Sequence, residues 1–315
     1  MRRRPEPEIL VPTRAPSRRS VLRAGALLGG LGAAGALVGC GDDGSSAGGS
    51  TTTAAGGGAT TGALIASFPQ STPYIAAGSP ARMPYLIADR EGVPLRSIDG
   101  PVRFTVSRDG TPVGEPVEVT PRSDGVPRAY LPLAFTFAEP GIYDVSAEYG
   151  GSTLEGSVQV VDRSKITTPM VGDRLPAVAS PTTANAMGVD PLCSRDPVCP
   201  YHSVSLDAAV ASGKPAILVV STPAFCQTAV CGPLLDHVME AVGEPGGINV
   251  IHSEVYANPT AVDDLAKATV APVPKAFDMA FEPALFVADA SGLVVSRGDI
   301  IVDRGELAEM LAPIR

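Results

Sequence analysis

The sequence predicts an all-β sandwich followed by an α/β domain, set behind a leader and a tether. Three observations predict it. Between Ala63 and Asp162, short β-rich runs alternate with turn signals, and the stretch holds no Cys, His or Trp. Further on, the continuous apolar run Ala216–Val220 leads through a turn carrying Cys226 and Cys231 into an amphipathic run, Leu234–Val242. Strand and helix patterns then alternate to Arg315.

Composition bounds what the chain can do. With 315 residues, 44% hydrophobic and 18% charged, it has room for two folded domains. The formal charge is −9, yet residues 1–39 carry seven Arg against two Glu, so the remainder is near −14. That balance excludes nucleic acid and anionic membrane surfaces as partners of the folded part.

Ser17-Arg18-Arg19-Ser20-Val21-Leu22-Arg23 is a twin-arginine pattern ahead of the apolar stretch Ala24–Val38. The stretch is short and rich in Gly and Ala, unlike a membrane-spanning helix. It ends at Leu37-Val38-Gly39-Cys40, which resembles the lipobox of bacterial lipoproteins. The resemblance implies a signal peptide over residues 1–39, with Cys40 the lipidated (palmitate-bearing) first residue, anchored on the extracytoplasmic face of the membrane. Twin arginines favour Tat over Sec export, although Val21 stands where that signal usually has Phe. Residues 40–62 follow as a Gly-, Ser-, Thr- and Ala-rich tether, with a reach of roughly 26 Å as a flexible coil.

For residues 63–162 the strand expectations are Ala63–Phe68, Tyr85–Asp89, Val102–Arg108, Pro116–Thr120, Ala129–Phe137, Ile142–Tyr149 and Ser157–Val161. Asp109-Gly110 and Gly150-Gly151 are hairpin dipeptides. Seven short strands at this spacing suggest a sandwich. Glu139-Pro140-Gly141-Ile142-Tyr143 resembles the tyrosine corner of immunoglobulin-like domains, with Tyr143 in the corner position. No catalytic constellation is visible, and the expected role is a spacer or protein-binding module.

Residues 163–190 read as a linker into the α/β domain, residues 191–315. In order, the expected elements are a helix at Ser205–Ser212, the strand and helix around the two cysteines, and a strand at Asn249–Tyr256. A helix at Ala261–Ala268, hairpin strands Ala284–Asp289 and Leu293–Arg297, and a helix at Arg304–Leu311 complete it. Ala271–Lys275 reads as an exposed turn, and Asp236, Glu240, Asp263 and Asp264 as solvated helix charges.

From Val171-Gly172-Asp173-Arg174-Leu175-Pro176 to Arg315 the chain resembles thioredoxin-like domains, in particular actinobacterial-type envelope lipoproteins with Phe225-Cys226-x4-Cys231-Gly232-Pro233. Cys231-Gly232-Pro233 is similar to the start of the family's Cys-Gly-Pro-Cys motif. Pro283, after Glu282, is similar to its cis-proline facing the active disulfide. The resemblance implies dithiol/disulfide exchange through Cys226 and Cys231, with Pro283 at the site. Two departures qualify it: Leu234 occupies the second cysteine's position, and there is no Trp. Residues five apart on a helix diverge by about 140°, so Cys226 must lie in the loop before the helix for the two to bond.

An oxidising compartment makes the four cysteines after Cys40 two disulfides. The most local pairing joins Cys193 to Cys199 as a structural staple and Cys226 to Cys231; cross-pairing such as Cys193–Cys226 stays open. Cys231, nearest the helix N-terminus, is the better thiolate, with Cys226 resolving it; the reverse order also stays open. The expected activity is thiol–disulfide exchange on exported proteins, without a cofactor. A catalytically silent binding scaffold of the same fold is the alternative from another class. A third reading is a copper carrier similar to the Sco class, with Cys226, Cys231 and His252 as Cu(I) ligands. His202, His237 and His252 otherwise read as structural, His237 on an exposed helix face. Thr228-x-x-Cys231 resembles the peroxiredoxin motif, but a peroxidase is set aside because that family's Pro would fall at Ala224 and here it is Pro223.

Overall fold

A computed structural model describes residues 61–226, 228–243 and 246–315. The twin-arginine leader, Cys40 and the tether up to residue 60 lie outside the described residues. Among the described residues no helix is long and apolar enough to cross a membrane.

Nine strands form the first half: β1 (Thr61–Ala66), β2 (Ile75–Ala76), β3 (Pro80–Asp89), β4 (Val102–Arg108), β5 (Thr111–Pro112), β6 (Val117–Val119), β7 (Leu131–Thr136), β8 (Gly141–Tyr149) and β9 (Ser152–Val161). They make a three-stranded sheet, β1-β3-β7, and a six-stranded sheet, β2-β9-β8-β4-β5 with β6 also on β4. Alternate side chains of the two sheets meet in one core that includes Met83, Tyr85, Phe104, Leu131, Leu133, Phe137 and Val145. Each expected strand has a counterpart. Thr61 and Gly62, read as tether, already belong to β1. β3 begins at Pro80, earlier than expected, and runs through Pro84, a residue normally depleted in strands. Pro84 lies opposite Pro132 of β7 and beyond β3's last partner on β1, Ala66 opposite Tyr85. Both hairpin dipeptides take two consecutive positive φ values, 50° and 78° at Asp109-Gly110 and 60° and 74° at Gly150-Gly151. These suit a type I′ turn between right-twisted strands. The Tyr143 hydroxyl donates to the Glu139 carbonyl at 2.8 Å, closing the expected corner.

The second half contains α1 (Leu206–Ala211), β10 (Ala216–Val220), α2 (Cys231–Val242), β11 (Asn249–Ser253), α3 (Pro272–Ala276), β12 (Ala284–Ala288), β13 (Val294–Asp299) and α4 (Arg304–Leu311). Its sheet order is β11-β10-β12-β13, with β10 and β11 parallel and the other pairs antiparallel. β10 is apolar at every position because both its faces are covered. Ile217 and Val219 pack with Leu234, Leu235 and Val238 of α2 and Leu307 and Leu311 of α4. Ala216, Leu218 and Val220 pack with Leu206 and Ala209 of α1 and Val273 of α3.

Two local expectations are corrected. Ala261–Ala268 is not a helix but contains parts of two 3₁₀ turns, Pro259–Ala261 and Leu265–Lys267. The Asp264 side chain accepts from the Ala266 N–H, a local bond that competes with helix formation. The helix in this connection lies later, in the stretch expected to be an exposed turn. There Pro272 starts α3, where a missing N–H is tolerated, and Ala271 and Val273 are buried. From β10 onward the strand–helix order is β-α-β-α-β-β-α, as expected.

A charged seam joins the halves. Arg82 of β3 donates to both carboxylate oxygens of Glu306 in α4, at 2.6 Å each, and to the Asp299 carbonyl at 3.1 Å. The Tyr130 hydroxyl donates to Glu306 Oε2 at 2.5 Å and accepts from the Asp303 N–H at 2.8 Å. Leu86, Tyr130, Val230 and Ile301 form an apolar cluster beside this seam. Removing one partner of a buried, hydrogen-bonded ion pair leaves the other charge stranded. Arg82→Met is therefore expected to lower stability by about 3–5 kcal/mol, read from urea unfolding of the purified protein.

Candidate functional site

β10 ends at Val220, and the chain passes through the fully buried Ser221 and Thr222 into the turn bearing Cys226. The Phe225 and Cys226 N–H groups both donate to the Thr222 carbonyl, at 3.1 and 2.8 Å. Cys226 and Cys231 are disulfide-bonded, with their Cα atoms 6.2 Å apart. As its spacing requires, Cys226 lies before α2. The helix begins at Cys231 itself rather than at Pro233, and its first internal bond runs from Leu234 N–H to the Val230 carbonyl at 3.0 Å. Pro233 falls in the first turn, where N–H groups have no partner within the helix.

The two sulfurs differ in access. Cys231 is 0% exposed, whereas Cys226 is only half-buried and its Sγ is 3.2 Å from the Thr228 hydroxyl. Glu282 Oε2 lies 3.5 Å from Cys231 Sγ. The following peptide, Glu282–Pro283, is cis, so Pro283 lies one residue from the carboxyl beside the disulfide. Burial pushes the Glu282 carboxyl up to about 7, against hydrogen bonds from Thr222 that favour its charge. Glu282 carried no signal in the sequence beyond standing before Pro283.

A second group of side chains gathers on the other side of this loop. Cys193, Cys199, His202 and His252 are all buried, and their donor atoms lie within 4.8 Å of one another. The expected Cys193–Cys199 disulfide is absent: both are free thiols. The segment from Asp190 to Tyr201 runs along β11, with His252 N–H donating to the Tyr201 carbonyl at 3.0 Å and Asp190 N–H to the Ala257 carbonyl at 2.8 Å. Both sulfurs lie beside an imidazole, Cys193 Sγ 3.6 Å and Cys199 Sγ 3.4 Å from His252 Nδ1. Hydrogen bonding from Cys199, opposed by burial, draws the Cys193 thiol down; the same shared bond and burial push Cys199 up.

His252 therefore does not join Cys226 and Cys231 as the copper reading expected. On β11 it lies opposite Val219, and its ring faces Cys193 and Cys199. The close neighbour of the Cys226–Cys231 pair is Glu282. His237 is likewise not on an exposed face. It is 2% exposed, and a Cβ at Gly125 of the sandwich would lie 2.3 Å from its Nε2. Asp236 and Glu240 do lie on the solvated side of α2, where they pair with Arg195 and Arg304 at 2.7 Å.

No protein-family model and no curated protein sequence matches the chain. Solved structures similar to it include the ZirS C-terminal domain, at 18% identity over 40% of this chain and 86% of that one, TM-score 0.23. The Lin-41 filamin domain matches at 16% identity over 31% and 90%, TM-score 0.22. Titin Ig tandem domains match at 16% over 32% and 48%, TM-score 0.21.

The Glu282 shift has a signed consequence. A carboxyl raised from 4.5 to about 7 on folding binds its proton more tightly in the native state. Its stabilising contribution is full below the unfolded value and is lost as pH rises through about 7. The stability difference between the native chain and Glu282→Gln is thus expected to fall between those two pH values and to be flat outside them. Urea midpoints of both proteins across that range provide the check.

Proposed function

We propose that this chain is a thiol–disulfide oxidoreductase of the cell envelope that exchanges its Cys226–Cys231 disulfide with thiols of exported proteins. The observation that carries the reading is the asymmetry of the pair. A reachable sulfur is bonded to a buried one at a helix N-terminus, with a carboxyl of raised pKa beside the buried sulfur. Three features support a thioredoxin-like reading of the α/β half: the element order, Cys231-Gly232-Pro233 at a strand-to-helix junction, and the cis bond before Pro283 beside the disulfide.

The exchange balances as follows. A substrate thiolate attacks Cys226 Sγ, the sulfur within reach, forming a mixed disulfide and releasing Cys231 as the leaving thiolate. The N-terminal end of α2 favours that negative charge, and protonated Glu282 supplies its proton. A second substrate thiolate then attacks the substrate sulfur of the mixed disulfide and releases Cys226. The substrate dithiol is oxidised and the protein disulfide reduced; the reverse sequence reduces a substrate disulfide. In both directions Cys226 makes the intermolecular bond; Cys231 is the leaving group in the first and resolves the mixed disulfide in the reverse, opposite to the assignment based on helix proximity alone.

Placement in the envelope rests on the leader pattern and the lipobox-like end at Cys40. The sandwich acts as a brace as well as a spacer, because Val230, the residue before Cys231, packs against Leu86 and Tyr130.

Cys231→Ser is expected to accumulate mixed disulfides through Cys226, while Cys226→Ser traps none, as read by acid quenching, alkylation and mass spectrometry. The pair's reduction potential is expected above about −300 mV; a lower value marks an inert staple and leaves the scaffold reading in its place.

A further inference from the structure

We propose that Cys193, Cys199, His202 and His252 form a closed, four-ligand site for one zinc ion, separate from the disulfide. The first argument is metric. Zinc arms of about 2.0–2.3 Å in a tetrahedron place neighbouring ligand atoms about 3.3–3.8 Å apart. Four of the six edges of this set are Cys199 Sγ to His202 Nε2 at 3.2 Å, Cys199 Sγ to His252 Nδ1 at 3.4 Å, His202 Nε2 to His252 Nδ1 at 3.4 Å, and Cys193 Sγ to His252 Nδ1 at 3.6 Å. All four fall at or close to the tetrahedral values.

The second argument concerns where the protons lie. His252 Nε2 is 3.0 Å from the Ser221 backbone carbonyl, which can only accept, so Nε2 carries the hydrogen. In the neutral ring Nδ1 then carries the lone pair, and it lies 3.4–3.6 Å from both sulfurs and from His202 Nε2. Anchoring the far ring nitrogen on a carbonyl is how a ligating histidine is usually held in its metal-binding tautomer. The fourth donor, His202 Nε2, points to the same place, and among the described residues that ring's Nδ1 has no hydrogen-bond partner.

The third argument is enclosure and charge. Each of the four residues is no more than 7% exposed. Two thiolates and two neutral imidazoles compensate a divalent ion within that enclosure, and all four tetrahedral positions come from protein. The site is structural, with no open position for a reacting ligand. Cys193, Cys199 and His202 come from one short segment, and His252 of β11 ties that segment to the sheet. Ser194, next to Cys193, accepts from the Ala224 N–H at 3.2 Å, so the ion would also steady the loop that presents Cys226.

The test is metal analysis of the purified chain. One zinc per chain is expected, retained when Cys226 and Cys231 are both replaced by Ser and lost in Cys193→Ser with Cys199→Ser. Because ligand variants can misfold, the unmutated chain is also loaded with Co²⁺, and the absorption of tetrahedral cobalt with thiolate charge transfer is expected. Three results would overturn the proposal: no stoichiometric metal after zinc loading under reducing conditions, copper(I) held there in preference to zinc, or a mapped Cys193–Cys199 disulfide in the metal-free isolated protein.

Discussion

A carboxylate taken out of water must find donors or keep its proton, and three glutamates of this chain meet that constraint differently. Glu306 is met by the Arg82 fork and the Tyr130 hydroxyl, and the bonds it gains hold the sandwich to α4. Glu254, 2% exposed, accepts from the Ser194 N–H and hydroxyl at 2.6 and 3.0 Å, which pins the segment carrying Cys193. Burial raises the carboxyl of Glu254 and, to about 7, that of Glu282, and of the two it is Glu282 that stands beside Cys231. Two of these residues serve architecture. The third is the proton donor of the proposed exchange because it lies against Cys231 Sγ.

The loop after β10 links the two sulfur-bearing centres. The Thr222 hydroxyl accepts from Val255 N–H at 2.9 Å, which fixes the chain after β11 against the loop. Ser221 lies against the ring of His252, and Ala224 donates to Ser194. These bonds tie the Cys193–His202 segment and the chain after β11 to the turn before Cys226.

Much of this architecture was legible in the sequence because it is written in local chemistry. The hairpin dipeptides, the tyrosine corner, the doubly buried run Ala216–Val220 and the Cys226–Cys231 pair all depend on residues close together in the chain. What stayed hidden depends on the partner across a fold. The spacing Cys193-x5-Cys199-x2-His202 can be read directly, but its meaning changes once His252 arrives from β11. Before that, two cysteines in an oxidising setting read as a disulfide. His237 appeared exposed because its covering loop, around Gly125, belongs to the other half of the molecule. Ala261–Ala268 had helix-like composition, yet the Asp264 side chain took the Ala266 N–H and the helix formed at Pro272 instead.

In the proposed exchange, having Cys226 in the loop and Cys231 at the start of α2 decides what the helix does for the chemistry. With Cys231 at the first helical position and buried, the N-terminal dipole acts on the sulfur that leaves rather than on the one attacked. A thiolate stabilised at that position is the better leaving group, and in the proposed exchange the neighbouring carboxyl protonates it once it is free. Cys226 gains access from its place in the loop, and its contact with the Thr228 hydroxyl supplies a weaker, local stabilisation. The two functions of an exchanging pair, accessibility and leaving-group stability, are thus divided between loop and helix.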